Sequence, residues 1–573
     1  MSFVSSGRKS STPSILKKPG RPKSLPAHSV KFQLPFSIKG LLLSYVNEKN
    51  QDAYVELIYK IRDAGNQLSD DELIQIITEA KECISILNEE LRLFVQVILL
   101  LKWVHRSDEA VLQYKNFVLD LCSAHNYYTQ FALQQFVSVF TEDQEEKCFQ
   151  CVHDIIRSLL KIIPMSKEVL LNRIKRKFPF RTENARIYLN YTHNVLNICT
   201  YEPSFRREIL TLIITKLTHL DTMSSREDIE KTENCINVET EANAESIFTM
   251  EVDNVSDFTE NMKHEMACKL DHCLHRIFKY IYAECHDKND TLKWEKVKSL
   301  YQDLIFVFEN VILPTYGSVH IQFVMFYLIS FKRKLTLDFI NYLWNKVTNP
   351  NISPVIRQAS VYYLCGLLVH ASFVPISMVK TVLQNFAVWL HQYIDNLIDT
   401  QSEDMNIILR IHGVFYATCQ ALFYLINSRH SDLVNCDKDL RYLEKLNIGK
   451  IVTCSLNPLL VCSRMVVNHF ARITSKYQLA YCFPLLNTRS ATSDTSAADV
   501  WLDGCFPFDC YLLKNSKEII KSIHREIKEI ENKDITENNV SEIEDDFIFP
   551  GILSQSPQVP VLSSSPFFGC MSV

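Results

Sequence analysis

The chain has 573 residues, too many for one compact core, so several domains or a repeat array are required. Hydrophobic residues at 47% and charged residues at 22% are globular values that exclude wholesale disorder, and a net charge of −5 selects no partner class by bulk electrostatics. Eleven glycines leave little material for the phosphate-cradling loops of nucleotide-binding α/β folds, and favour an all-α chain.

Residues 1–36 hold seven Lys/Arg, no acid, and helix-blocking prolines at 13, 19, 22, 26 and 35, the expectation being a disordered basic arm. Within it, Ser14-Ile15-Leu16-Lys17 and His28-Ser29-Val30-Lys31-Phe32 resemble the paired short motifs by which partners dock on type-1 protein phosphatase. Val30 and Phe32 would fill two apolar pockets from an extended strand, with Ile15 and Leu16 in the first motif. The alternative is a plain basic targeting arm.

Residues 37–221 read as N-terminal helical repeats. Ile84, Leu87, Leu91, Phe94, Val95, Ile98 and Leu101 recur at three- and four-residue steps, which predicts one helix face. The basic patch Arg173, Lys175, Arg176 and Lys177, followed by Arg181, fits contact with phosphates or an acidic partner, or a nuclear import signal. A solvated helix end before Pro179 fits equally well. Residues 222–262 are expected to be an acidic flexible loop, because Asp221 to Glu260 holds twelve acids against Arg226 and Lys231.

Residues 263–487 read as C-terminal HEAT-like repeats. Ile411, Val414, Phe415, Thr418, Leu422, Leu425 and Ile426 trace one face, and Pro314 and Pro354 each precede an apolar helix. Pro354 to Ile394 predicts a helical hairpin, one helix to about His370 and a second from Pro375. Its opening, Pro354-Val355-Ile356-Arg357-Gln358-Ala359, resembles the first helix of a HEAT repeat. In that motif the proline bends the helix, Val355 and Ala359 pack inward, and Arg357 tethers neighbouring repeats. Residues 488–533 predict a polar loop and a capping segment with a charged helix from Leu513 to about Asn532. Residues 534–573 predict an acidic, then Ser/Pro-rich, disordered tail carrying phosphorylation candidates Ser541, Ser556 and Ser565.

Candidate chemistry is sparse. Cys148, Cys151 and His153, together with Cys268, His272, Cys273 and His275, could supply a tetrahedral zinc site. Their long, irregular separation within helical stretches favours ordinary buried thiols, so no metal and no cofactor are expected. Eighteen scattered cysteines fit reduced thiols in an intracellular protein. No leader and no membrane span are expected, since no apolar run reaches the ~18 residues that a span requires. P-loop, GxGxxG, GxSxG and HExxH patterns are missing from the sequence, which argues against an enzyme. Phe306, Phe308, Phe323 and Phe326 fall at helical spacing and are assigned to the core.

Long colinear runs carry a family resemblance. Residues Ile174–Asn194 (IKRKFPFRTENARIYLNYTHN), Leu313–Phe326, Ile356–Leu390, His412–His430, Leu456–Phe483 and Phe506–Lys514 (FPFDCYLLK) look like the RNA polymerase I-specific transcription initiation factor, the TIF-IA family. The resemblance implies a HEAT-repeat-like α-solenoid, a superhelix of helical hairpins. It also implies a nuclear and nucleolar factor that binds RNA polymerase I near its stalk and bridges it to the promoter-bound core factor (selectivity factor) complex. The family's polymerase-facing serine patch must be unphosphorylated. Ser123 falls at one such position, although Ala124 stands where the next serine is expected. Growth-dependent phosphorylation of the tail is a further family trait, which Ser556 and Ser565 match by type and location. A homodimer of the free protein and a weak, secondary DNA contact stay open, as does a rival reading as a HEAT-repeat scaffold or transport protein that docks phosphatase through residues 14–32.

Overall fold

The computed structural model describes residues 37–49, 51–64, 68–142, 144–233, 262–397, 405–434, 436–490 and 511–525. The first half comprises α1 (Ile38–Glu48), α2 (Gln51–Ala64), α3 (Asp70–Glu82), α4 (Arg92–Leu99), α5 (Asp108–Ala124), α6 (Thr129–Val139), α7 (Glu146–Ile162), α8 (Ser166–Lys177), α9 (Ala185–Tyr201) and α10 (Arg206–Thr222). There follow α11 (226–233), α12 (Glu265–Cys285), α13 (Trp294–Val307), α14 (Phe323–Ser330), α15 (Arg333–Thr348), α16 (Pro354–His370) and α17 (Ile376–Asp395). The rest are α18 (Met405–Leu433), α19 (Asp437–Lys445), α20 (Ile448–Val452), α21 (Pro458–Val461), α22 (Arg464–Lys476), α23 (Phe483–Ser490) and α24 (Asn515–Ile520). Among the described residues no strand forms, and only two isolated bridges occur, His286 with Leu292 and Ala371 with His524.

Through α1 to α9 the packing skips one helix at a time. In one layer α1 lies on α3, α3 on α5, α5 on α7 and α7 on α9, while in the other α2 lies on α4, α4 on α6 and α6 on α8. Each amphipathic helix thus covers its apolar face with the next hairpin, which is how a helical solenoid builds a continuous core. The core is one cluster running from Ile38 to Ile520.

Local chemistry explains where the helices start. Ser69 closes a capping box with Glu72, and Ser107, Asn184 and His264 accept from the first-turn amides of α5, α9 and α12. The single face predicted from Ile84 to Leu101 is broken. Two 3₁₀ turns, Ile84–Ile86 and Glu89–Leu91, precede α4, because the Asn88 side chain caps the Glu90 amide and restarts the chain. Leu87, Leu91, Phe94, Val95, Ile98 and Leu101 are nevertheless all buried.

The hairpin of α16 and α17 lies where the sequence puts it, but its first turn does not. Pro354 occupies the start of α16 instead of bending it, as a residue with no amide to donate can do. Val355 is 68% exposed, and Ala359 is only half-buried. Arg357 does tether its neighbour: its Nε donates to the Val347 carbonyl at the end of α15, 2.8 Å away. Pro314 sits in a turn after the π-helical Phe308–Ile312, well before α14 begins at Phe323.

Three further expectations are corrected. Helix α11 occupies 226–233, where the acidic loop was expected to begin, and Ile229 is buried on the core. The charged helix expected from Leu513 stops at Ile520 and turns, and His524 then pairs with Ala371. Phe306 is not a core residue: its ring is exposed under the Arg207 guanidinium, 5.1 Å from the centroid, whereas Phe308, Phe323 and Phe326 are buried. Ile407–Leu433 of α18 is long and apolar enough to cross a membrane, but most of it is buried in the protein, with α16, α17 and α22 packed on α18.

Candidate interaction surface

Two buried carboxylates tie distant segments of the scaffold together. Asp221, at the end of α10, accepts from the amides of Val319, His320 and Ile321 at 2.9, 2.9 and 3.0 Å, and pairs with His320 Nδ1 at 2.8 Å. Asp271 in α12 accepts from the Asn515 and Ser516 amides at 2.8 and 2.7 Å, the Asn515 Nδ2 at 3.1 Å and the Ser516 hydroxyl at 2.5 Å. Residues 511–525 therefore form a strap. It begins at Tyr511, packed edge-on to His320 and Phe323, and ends where the Arg525 amide donates to the His370 carbonyl at 2.7 Å. Sequence reasoning missed both aspartates, since a lone acid in an amphipathic helix normally faces water.

Ser123 lies exposed in the last turn of α5, its hydroxyl donating to the Leu119 carbonyl at 2.6 Å. Cys122 beside it is buried, while Ala124 and Tyr127 reach the surface, and the Tyr127 hydroxyl donates back to the Leu87 carbonyl at 2.9 Å. Serine at this position is both accessible and held on a rigid helix end. The last carbonyls of a helix carry negative dipole charge, so a phosphate there meets an unfavourable field.

The basic patch closes α8. Lys175, Arg176 and Lys177 are exposed and Arg173 is half-buried. The next loop is held from below: Phe178 is buried edge-on against Tyr188 and Tyr191, with centroids at 5.3 and 5.2 Å, and Lys269 donates to the Arg181 carbonyl at 2.5 Å. Lys269 is wholly buried and pairs with Glu265 at 2.6 Å. The patch and Ser123 stand on different hairpins. The phosphatase-docking candidates Ile15, Leu16, Val30 and Phe32, and the tail serines 541, 556 and 565, lie outside the described residues.

The cysteine and histidine groups do not converge; among the described residues no three potential metal ligands cluster. Cys148 Sγ is occupied by the Val104 carbonyl at 3.7 Å and His105 Nδ1 at 3.6 Å. Cys273 donates to Thr192 at 3.6 Å, and burial pushes its thiol up to about 12, far from the thiolate a metal needs. His153 sits between the Tyr201 hydroxyl and Asn194 Oδ1, both at 3.1 Å, and burial pulls its pKa down to about 4.

A family model described as RNA polymerase I specific transcription initiation factor RRN3 matches residues 38–532. The mouse protein described as RNA polymerase I-specific transcription initiation factor RRN3 is 33% identical over 586 aligned positions, covering 93% of this chain and 87% of its own length. A Caenorhabditis elegans relative, RNA polymerase I-specific transcription initiation factor tif-1A, is 22% identical over 503 positions, covering 79% of this chain and 76% of its own. The crystal structure of RNA polymerase I transcription initiation factor Rrn3 superposes with a TM-score of 0.69 at 22% identity, covering 85% of this chain and 98% of that one. At that identity the superposition speaks to the fold, a helical repeat-like solenoid.

Proposed function

The chain belongs to the RNA polymerase I specific transcription initiation factor RRN3 family, and from that premise we propose that it binds RNA polymerase I near the stalk and joins it to the promoter-bound core factor complex. It is an initiation factor and not an enzyme. Its work is nuclear, and we place it in the nucleolus, where ribosomal RNA genes are transcribed.

The observation that carries the polymerase contact is the exposure of Ser123 on the end of α5. A solenoid binds through extended, preformed faces, so a single charge placed on such a face is felt without any refolding. Phosphate would add roughly two negative charges beside the α5 carbonyls, and an acidic or closely packed partner would be repelled. Phosphorylation at Ser123, and in the tail at Ser541, Ser556 or Ser565, is the proposed control.

The test is retention on immobilised RNA polymerase I. Wild type and Ser123→Ala should be retained alike, while Ser123→Asp should be lost by about tenfold, the order of one displaced charged contact. Equal retention of Ser123→Asp removes Ser123 from the polymerase-facing surface.

A further inference from the structure

Between Arg173 and Arg186 the chain carries six cations and a single acid, Glu183. Among the described residues no carboxylate lies within ion-pairing distance of Arg173, Lys175, Arg176 or Lys177. Helix-end dipoles account for cations in this position. They do not account for Phe180, whose ring is 78% exposed three residues after Lys177.

The loop that carries Phe180 is rigid. On one side Phe178 and Pro179 are buried. On the other, the Glu183 amide donates to the Phe180 carbonyl at 3.0 Å and the buried Lys269 grips the Arg181 carbonyl. The Arg181 guanidinium lies against the sulfur of Met223, itself an exposed apolar side chain, at 3.5 Å. A rigidly presented aromatic beside unpaired cations loses little entropy on binding.

We propose that this surface, Phe180 flanked by Lys175, Arg176, Lys177 and Arg181, binds single-stranded RNA. The cations track consecutive phosphates, and Phe180 stacks on an unpaired base. A duplex keeps its bases stacked inside, out of reach of a ring on a short loop, and an acidic peptide would engage the cations while leaving Phe180 idle. The choice of RNA rests on the reading of this chain as a polymerase-bound factor: a transcript is the strand that leaves a polymerase unpaired, whereas opened DNA is enclosed. A phenyl ring offers no edge groups to hydrogen-bond, so binding is indifferent to sequence.

Fluorescence anisotropy of a labelled oligouridine with the isolated full chain, over a range of salt, tests this without polymerase. Wild type should bind with salt-sensitive affinity. Phe180→Ala should weaken binding by about tenfold with an unchanged salt slope, and Phe180→Trp should restore it. Lys175→Ala and Lys177→Ala should each lower the slope by about 0.7. Unaltered melting curves verify that these exposed positions leave the fold intact. An unchanged affinity for Phe180→Ala overturns the proposal, as does equally tight binding of an RNA duplex or of oligodeoxythymidine. Variants that keep RNA affinity but lose retention on polymerase would reassign the patch to an acidic protein surface.

Discussion

The Asp221 carboxylate reaches His320 across the acidic insertion, with Oδ1 2.8 Å from Nδ1 and both side chains buried. Its other oxygen takes three consecutive amides, so one aspartate supplies four contacts to the turn before α14. Charge-assisted hydrogen bonds of this kind are roughly twice as strong as neutral ones. Removing the carboxylate also leaves buried amides without an acceptor.

Asp221→Ala should therefore lower stability by about 3–5 kcal/mol in urea unfolding, and Asp221→Asn, which keeps one acceptor oxygen, by less. His320 Nε2 faces the Leu512 amide at 3.4 Å, so hydrogen exchange at Leu512 should quicken in both variants. Unchanged protection at Leu512 would show that the strap is held without His320.

The strap itself depends on Asp271. Ser516→Ala removes one of its four donors and should cost about 1–2 kcal/mol, whereas Asp271→Ala orphans the Asn515 and Ser516 amides together and should cost more. Because Leu513 and Ile520 are fully buried, strap release should uncover apolar surface. Dye binding that rises in Asp271→Ala and stays flat in Ser516→Ala is the expected pattern.

Two buried histidines set a pH dependence. Burial pulls His153 to about 4, and burial with the neighbouring His524 does the same to His370, against an ordinary value of 6.5. His370 finds no hydrogen-bond partner for either ring nitrogen among the described residues and stacks on His524 at 5.7 Å. Both folded values lie below the unfolded one, so the unfolded chain binds more protons between pH 4 and 6.5. Stability is then full above about pH 6.5 and is lost as the pH falls towards 4, by about 2 kcal/mol per histidine at pH 5. Melting temperatures at pH 7.5 and pH 5 should differ less in His153→Gln than in wild type. An identical drop in the variant would assign the acid sensitivity elsewhere.

The helices were legible because their apolar spacing is set by what each hairpin must bury, and that spacing survives even where Asn88 breaks the helix. Their termini were less so. Val355 carries an apolar side chain into solvent and Ile229 carries a helix into an acid-rich stretch, and both depend on which neighbour arrives from elsewhere in the chain. The basic patch was legible as composition. Phe180 was not singled out, because a ring in a sequence gives no sign of whether a buried lysine such as Lys269 will hold its loop open to solvent. The long-range ligands of Asp221 and Asp271 left no local signal at all.

Arg206 shows what such a link is worth. Its Nε donates to Asp303 Oδ2 at 2.7 Å, its Nη2 reaches the same oxygen at 2.6 Å and Ser299 Oγ at 2.5 Å, and its Nη1 lies 3.5 Å from Glu284. One guanidinium thus ties α10 to α12 and α13 across the acidic insertion, with Arg206 and Asp303 both buried. Arg207 contacts the remaining oxygen of Asp303 at 3.1 Å but is half exposed. Arg206→Ala should cost about 3–5 kcal/mol, because Asp303 stays buried with only a partly screened partner. Arg206→Lys should recover less than half of that, since an ammonium is a point charge without the planar fork that serves Asp303, Ser299 and Glu284 at once. The double variant Arg206→Met with Asp303→Leu should be closer to wild type than Arg206→Ala, as the buried Asp303 carboxylate goes with its guanidinium, Glu284 keeps Lys296 at 3.3 Å and Arg207 is solvated. If Arg206→Ala unfolds at the same urea concentration as wild type, the link is not what joins the two halves, and apolar packing of α10 on α12 and α13 carries that contact alone.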